Sequence, residues 1–278
     1  MTSLPIGNSK GDSVDTNFFK PHQFVGDKRL SRRQSRWVLD FCQRVFSREP
    51  DETQQFLDVG CGIGDLTRDE LLPRCLPCRR IVAVDVNSSY AKLDIASDEA
   101  VVEFLDEYGT FDRVYSFHAL IWVRDQAKAL KNVARLLKPR GECLLVFHAS
   151  LHALDVNRSL VDMERWSKYR HLVEQVTPKT QDMNDEERRE YISGLLAAAG
   201  LSPSILELPV CTAFDDYSFE ALVDMYVAKS PLCGALSDTE KPQFYKDMAD
   251  ELRKFRSSCA DRSRYRLYVI KASKSEKK

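Results

Sequence analysis

The sequence lacks any apolar run near the roughly 20 residues that a membrane-spanning helix needs, so we expect no membrane span. It also lacks an excess of either charge: 41 Lys and Arg residues meet 42 Asp and Glu residues, for a net charge of −1. This balance gives no electrostatic reason to expect a nucleic-acid partner. Residues 1–17 are polar and hold no apolar core of a secretory signal. We therefore expect a cytoplasmic protein.

The eight cysteines lack the spacing of a metal site or a disulfide framework. Cys75 and Cys78 form a CLPC pair, but no second pair follows at zinc-ligand spacing. A thioredoxin-like pair would begin a helix after a strand, whereas this pair follows a predicted helix. We therefore expect reduced thiols, a connecting loop at residues 75–78 and no metal.

Strand and helix patterns alternate along the first half of the chain, and helices dominate the second half. Predicted strands cover residues 56–60, 80–86, 111–120, 142–149, 204–210 and 263–273. Predicted helices cover residues 29–47, 64–72, 97–107, 124–138, 151–173 and 185–199, with two more between 218 and 256. Apolar strands that alternate with helices favour an α/β fold, with a mostly parallel sheet covered on both faces and an antiparallel last strand. Residues 1–20 are expected to form a flexible leader and residues 21–278 a single domain.

The stretch QFLDVGCGIGDLT (55–67) runs from a predicted strand into glycines at every second position. Glycines let backbone amides approach a ligand, and the following helix offers its N-terminus. A P-loop is excluded, because Asp65-Leu66-Thr67 stands where that motif needs Gly-Lys followed by Ser or Thr. The loop must therefore hold another ligand at the carboxyl end of the first strand.

Asp58 indicates the charge of that ligand. The spacing Gly60-x-Gly62-x-Gly64 differs from the Gly-x-Gly-x-x-Gly of nicotinamide-binding loops. A carboxylate two residues before the first glycine would repel a pyrophosphate and attract a cation. S-adenosylmethionine is such a cation, with a sulfonium and an ammonium group. Asp85 ends the second predicted strand, where an acid can bind ribose hydroxyls.

This order of strand, acid, glycines, helix, strand and second acid resembles motif I of the class I S-adenosylmethionine-dependent methyltransferases. Together with FDRVYSFHALIWVRDQAKALKNVARLLKPRGECLLVFHAS (111–150), it is similar to the juvenile hormone acid methyltransferase family of arthropods. The resemblance is specific over residues 56–150. It implies a class I, Rossmann-like fold and methylation of the carboxylate of a small apolar acid, such as juvenile hormone acid or a farnesoic-acid-like terpenoid.

The resemblance also implies the site residues. Those expected at the cofactor are Asp58, Gly60, Cys61, Gly62, Gly64, Asp85, Val86, Asp94, Ile95, Ser116, Phe117 and His118. In the family an indole and a glutamine amide orient the acceptor carboxylate, and Trp122 matches the indole. Ser31 stands where the glutamine is expected, and Gln34 follows nearly one helical turn later. Ile121 replaces the usual histidine before the Trp. A carboxylate is ionised at neutral pH and needs orientation, not a base.

The segment between Asp85 and Asp94 is shorter than the resemblance implies. Eight residues, 86–93, separate the two acids, whereas a parallel crossover needs a dozen or more. We therefore expect the third, edge strand and its helix to be missing, with a loop that carries Asp94 and Ile95 to the adenine. Residues 151–178 and 211–262 would form a helical lid over an apolar acceptor slot.

Two other functions remain open. A catalytically weak or inactive relative would keep the fold and the ligand site without turnover. A methyltransferase for an amine or hydroxyl acceptor would need a base near the methyl group, and His118 and His148 are the histidine candidates near strand ends.

Overall fold

The computed structural model describes residues 29–86, 91–212, 217–258 and 264–275. The predicted leader, residues 1–20, lies outside these ranges. None of the described helices is long and apolar enough to cross a membrane.

A mixed sheet forms the centre of the fold. Its strands are β1 (Gln55–Val59), β2 (Arg80–Asp85), β3 (Ala91–Lys92), β4 (Phe111–Phe117), β5 (Leu137–His148), β6 (Leu201–Glu207), β7 (Val210–Thr212) and β8 (Arg264–Lys274). The spatial order is β3-β2-β1-β4-β5-β8-β6, and β7 pairs with the first part of β8. Strands β1 to β5 pair in parallel, and β8 runs antiparallel to its neighbours β5 and β6. The predicted α/β class and the antiparallel last strand are confirmed.

The described helices lie on both faces of the sheet and above its carboxyl edge. They are α1 (Arg29–Cys42), α2 (Leu72–Cys75), α3 (Asp98–Tyr108), α4 (Gln126–Leu136), α5 (His152–Val161), α6 (Arg170–Val176), α7 (Asp185–Ala198), α8 (Phe219–Lys229) and α9 (Lys241–Ser258). Two of these helices begin after residues whose side chains accept hydrogen bonds from backbone amides of the first turn. Ser97 accepts from Ala100 N at the start of α3, and Asn184 forms a capping box with Glu187 at the start of α7.

Side chains of alternate strand residues pack into two apolar cores, one on each face of the sheet. Phe56 and Leu144 pack with α1 and α2, whereas Leu57 and Leu145 pack with α3, α4 and α7. A third apolar cluster joins α5, α6, α8 and α9, the segments predicted as the lid. The period-2 pattern of the strands therefore separates two layers of helices.

The edge of the sheet beside β2 differs from the expectation that the third strand and its helix are missing. The third strand is not missing: β3 pairs in parallel with the end of β2, Val84 opposite Ala91 and Asp85 opposite Lys92. Only residues 86–90 connect the two strands, too few for a helical crossover. The crossover is lost, but two residues suffice to place β3 beside β2, so the chain keeps a short remnant of the edge strand.

Two further local expectations differ from the structure. The helix after the glycine loop continues through Pro73 to Cys75, because a π-helical turn over Thr67–Leu71 widens the helix before the proline ring. Trp37 and Phe41 recur at helical spacing in α1, yet they are 59% and 57% exposed and stack on each other. The buried face of α1 lies one residue further along.

Candidate active site

The candidate site lies at the carboxyl ends of β1, β2, β4 and β5. Strand β1 has β2 on one side and β4 on the other, so the chain reverses direction of winding at this strand. Open α/β sheets bind ligands at such a point. The glycine loop follows β1 and closes this end of the sheet.

The glycine loop needs its glycines for conformation and for space. Gly60, Gly62 and Gly64 have φ of +78°, +58° and +74°, a left-handed region that side chains disfavour. A Cβ atom on Gly60 would lie 2.2 Å from the Cβ of Ala119. The amides of Gly60 and Cys61 donate to the carbonyl of Val84 at 2.8 and 3.0 Å, which fixes the loop on β2.

Two carboxylates flank this loop. Gly62 N donates to Oδ2 of Asp85 at 2.8 Å. Asp58 is 1% exposed and accepts from Thr67 Oγ1 at 2.6 Å. Burial raises the pKa of Asp58 to about 6, the Thr67 bond opposes that rise, and the charge of Asp85 adds to it. A glycine cradle with two nearby acids suits a cationic ligand that also carries hydroxyl groups.

The short segment after β3 reaches the same edge of the sheet. Asp94 Oδ1 accepts from Ala96 N at 2.9 Å, and the carbonyl of Ile95 accepts from Asn132 Nδ2 at 3.0 Å. Ile95 is buried against the core under α3 and α4. Because β3 pairs with the end of β2, Asp94 lies near the carboxyl end that carries Asp85. Asp85 and Asp94 therefore lie at the same edge of the sheet, and their contacts with the ribose and the adenine stay predictions.

Four other predicted cofactor residues differ in burial: Ser116, Phe117 and Cys61 are buried, and Val86 is partly exposed. Ser116 Oγ donates to the carbonyl of Val59 at 2.9 Å and is buried between β4 and β1. Phe117 packs in the α1 core. Cys61 is buried, which raises the pKa of its thiol to about 12. Val86 is 37% exposed at the end of β2. Ser116 and Phe117 thus serve the packing of β4 against its neighbours, and their contact with the cofactor stays a prediction.

A second group of side chains lies beside the glycine loop, over β4 and β5. We call Gln34, Ser35, His118, His148 and Tyr265 the polar ring. Ser35 Oγ lies 3.2 Å from His118 Nε2, and Gln34 Nε2 donates to the hydroxyl of Tyr265. The His148 ring centroid is 5.4 Å from that of His118 and 5.1 Å from that of Tyr265. The ring joins α1 to the ends of three strands.

Burial, with a smaller effect of nearby charges, keeps His118 and His148 neutral. Burial lowers the pKa of His118 to about 4, a hydrogen bond from its ring to the backbone carbonyl of Ser31 opposes this change, and Lys229 lowers the pKa further. Burial also lowers the pKa of His148, as do His118 and Lys229. Lys229 ends α8 in the lid, so a cation of the lid lies near the polar ring.

Salt bridges hold α1 in place above the site. Arg32 Nη2 lies 3.1 Å from Asp65 and 2.8 Å from Asp69, in the helix that follows the glycine loop. Arg36 pairs with Glu70 in the same helix. These contacts fix where Gln34 and Ser35 stand relative to the loop.

Comparison with known proteins identifies the family. Residues 29–201 match the methyltransferase-domain family, which is more than half of the chain. The chain belongs to the methyltransferase-domain family. Its fold and glycine loop are those of a class I S-adenosylmethionine-dependent methyltransferase, and S-adenosylmethionine is the cofactor that fits the cradle and its acids.

Curated relatives and one solved structure agree with this family. The chain is 30% identical over 149 residues to juvenile hormone acid O-methyltransferase of Bombyx mori, covering 48% of the chain and 51% of that protein. It is 32% identical over 164 residues to the Drosophila melanogaster enzyme of the same name, covering 52% and 54%. The Arabidopsis thaliana mitochondrial ubiquinone biosynthesis O-methyltransferase is 29% identical over 137 residues, covering 46% and 42%. The chain thus spans about half the length of the curated relatives it matches.

The solved structure supports the fold. A Bacillus halodurans C-125 protein assigned as a methyltransferase superposes with a TM-score of 0.51 at 18% identity, over 86% of this chain and 99% of that one. At this identity the similarity concerns the fold alone.

The two predicted acceptor residues lie on different elements. Gln34 is part of the polar ring, as its position one turn after Ser31 allows. Trp122 ends a 3-10 turn, Leu120–Trp122, and is half-buried against the core of α3 and α4. Its role with an acceptor stays a prediction.

Motif reasoning missed Tyr265 and Lys229. Tyr265 is the second residue of β8. Strand β8 runs antiparallel to β5, and His148 at the end of β5 pairs with Leu267. An antiparallel last strand must begin at the carboxyl edge of its parallel neighbours, so the predicted topology could have indicated Tyr265. Lys229 carried no signal in the sequence, because only the fold of the lid brings it near the histidines.

The CLPC pair has a structural role in the described fold. Cys75 is buried, donates to the hydroxyl of Tyr115 at 3.6 Å and has a pKa raised to about 11, mainly by burial. Burial also raises the pKa of Cys78. Raised pKa values disfavour the thiolates that redox chemistry needs. Among the described residues, no group of three or more His, Cys, Asp or Glu side chains could hold a metal ion.

Proposed function

We propose that this methyltransferase transfers a methyl group from S-adenosylmethionine to the carboxylate of a small apolar acid. The observation that carries the proposal is the polar ring. His148 lies with its ring centroid 5.4 Å from that of His118 and 5.1 Å from that of Tyr265, and Lys229 lowers the pKa of both histidines, which burial keeps neutral. Such surroundings favour an anionic acceptor over an ammonium group.

The weakness of the histidines as bases supports the same acceptor. With a pKa of about 4, His118 would take a proton from an alcohol or an ammonium group only poorly. A carboxylate requires no such step. Its oxygen bonds to the methyl carbon, the carbon–sulfur bond breaks with its electrons on sulfur, and no proton moves.

The roles of the cofactor residues follow from their positions. The glycine loop and Asp58 would hold the methionine end, Asp85 the ribose, and Asp94 with Ile95 the adenine. These residues bind and orient the donor, which supplies the methyl group. Trp122 and Gln34 stay as the candidates for orienting the acceptor, with Gln34 already in the polar ring.

The lid supports a small apolar acceptor. Leu154, Trp166 and Leu222 belong to the apolar cluster that joins the lid helices, and apolar side chains line most small-molecule sites. The names of two curated relatives suggest juvenile hormone acid, and the resemblance of the sequence to that family extends the proposal to a farnesoic-acid-like terpenoid. A nucleic-acid acceptor has no support in the net charge of −1. A cytoplasmic location is part of the proposal, supported by the free thiols of the described cysteines.

An acceptor panel tests the proposal. Purified protein is incubated with deuterated-methyl S-adenosylmethionine and with farnesoic acid, farnesol or farnesylamine, and methylated products are measured by mass spectrometry. We expect a labelled methyl ester from the acid and at least tenfold less product from the alcohol and the amine. Preference for either of those two would contradict the proposal and favour the base-dependent alternative. Cofactor binding without any product would favour the inactive relative, which the short edge at β3 motivates.

A further inference from the structure

Tyr265 lies where an acceptor would meet the donor site. It stands two residues before Leu267, which pairs with His148 at the end of β5. Its side chain is buried, and its ring centroid is 5.1 Å from that of His148. His118 and His148 are half-buried residues. The Tyr265 hydroxyl is thus at the carboxyl edge, beneath the lid.

The hydrogen bond from Gln34 leaves the phenolic proton of Tyr265 available. Gln34 Nε2 is the donor and the Tyr265 oxygen the acceptor, so the hydroxyl hydrogen takes no part in that bond. Within the described part of the chain, the hydrogen bond seen at this hydroxyl is the one that it accepts from Gln34. Burial raises the pKa of Tyr265, so the phenol keeps its proton at neutral pH.

Other atoms of the polar ring also lack partners. Gln34 Oε1, His118 Nδ1 and His148 Nδ1 are buried with no hydrogen bond within the described part of the chain. Buried polar groups are nearly always satisfied, and an exception calls for a functional explanation. Three such atoms in one contiguous group indicate a place prepared for a polar ligand.

The charges around Tyr265 select an anionic group. Arg33 lowers the pKa of Tyr265, and Lys229 lowers the pKa of both histidines. Both cations thus lie within electrostatic range of the polar ring, on α1 and on the lid. A neutral phenol donor, in a group of side chains that lies within electrostatic range of these cations, matches a carboxylate, which accepts hydrogen bonds at both oxygens.

We propose that the Tyr265 hydroxyl, oriented by Gln34, is the hydrogen-bond donor that holds the carboxylate of the acceptor. Tyr265 touches the acceptor and Gln34 acts through it, as a positioning residue. The inference rests on the proposed function, because it names the group that binds the acid at the same site.

Equilibrium binding tests the inference without turnover. Farnesoate and its methyl ester are titrated into the protein with S-adenosylhomocysteine present, and the ratio of their dissociation constants measures the recognition of the carboxylate. We expect the wild type to favour the acid at least tenfold and Tyr265→Phe to lose most of that preference. The affinity for S-adenosylhomocysteine should stay within twofold.

Tyr268→Phe is the matched control. The Tyr268 hydroxyl donates to the carbonyl of Arg188 at 3.0 Å, on the opposite face of β8. This variant removes a buried hydroxyl from the same strand and should keep the preference for the acid. An equal loss in both variants, or no loss in Tyr265→Phe, would overturn the inference.

Gln34 is tested through its dependence on Tyr265. Gln34→Leu should weaken acid binding several-fold in the wild-type background and have no further effect in the Tyr265→Phe background. Additive effects would contradict a role through Tyr265. A wild type that binds the acid with the expected preference but forms no ester would overturn the proposed function and leave this inference standing. A wild type with no preference for the acid would overturn the inference.

Discussion

At the scale of single residues, the ionised form of Asp58 lowers the stability of the free protein but would favour the binding of a cationic ligand. Its carboxylate is 1% exposed, and burial is the main cause of its raised pKa. Ionisation in the folded protein therefore costs free energy until a cation neutralises it. The proposed donor carries two positive groups, which explains why a fold would keep a buried acid there.

Asp58→Asn should stabilise the free protein at neutral pH. The folded pKa is raised from 3.8 to about 6, so the stability linked to the protonated acid is present below pH 3.8 and lost as pH rises through about 6. A rise of that size corresponds to about 3 kcal/mol at pH 7. The asparagine can still accept from Thr67.

Urea unfolding of both proteins at pH 7.5 and pH 4 measures this difference. The variant should be the more stable one at pH 7.5, and its advantage should be nearly gone at pH 4. Its affinity for S-adenosylmethionine should fall at least tenfold at pH 7.5. A variant less stable than the wild type at pH 7.5 would contradict the reading of Asp58.

Gly60→Ala should damage both fold and binding. The new Cβ atom would lie 2.2 Å from Ala119 at a φ of +78°, and left-handed backbone alone costs about 1–2 kcal/mol with a side chain. Gly194→Ala is the control, since Gly194 lies inside α7 with nothing within 4 Å of its Cβ position. The control should be neutral or stabilising by up to about 1 kcal/mol. Thermal unfolding and cofactor titration of the two variants distinguish a specific steric requirement from a general intolerance of alanine.

At the scale of elements, local signals predicted most of the sheet and its helices. The Ser97 cap and the apolar run of β5 are short-range features, so the sequence carries them directly. The length of the helix after the loop depended on a π-helical turn before Pro73, which no local pattern indicates. Trp37 and Phe41 fit a helical period, but the side that α1 presents to the sheet depends on its partners, such as Arg36 with Glu70.

Replacing Asn132 tests whether residues 94–96, at the short edge of the sheet, contribute to cofactor binding. Its side chain is buried and donates to the carbonyl of Ile95. Asn132→Ala leaves that carbonyl without its donor, which should cost about 1–3 kcal/mol of stability and weaken S-adenosylmethionine binding by loosening residues 94–96. Asn184→Ala, at the cap of α7, should cost about 1 kcal/mol and leave binding unchanged. Equal affinities in both variants would show that residues 94–96 do not take part in binding.

At the scale of the whole molecule, the glycine loop was predictable and the polar ring was not. Asp58 to Asp85 form one contiguous strand–loop–helix–strand unit, so spacing alone indicates a donor site. Gln34 and Tyr265 meet across 231 positions of sequence, and the position of Lys229 depends on the lid. Such contacts follow only from the complete topology, which places α1, β8 and the lid around one edge of the sheet.

We expect this chain, despite its short edge at β3, to form a donor site for S-adenosylmethionine at the carboxyl edge of its sheet. The most direct test is a calorimetric titration of the purified protein with S-adenosylmethionine, with Asp85→Ala as the comparison. We expect saturable binding at one site in the wild type and its loss in Asp85→Ala. No measurable heat from a folded, monodisperse wild type, or equal binding by both proteins, would contradict it.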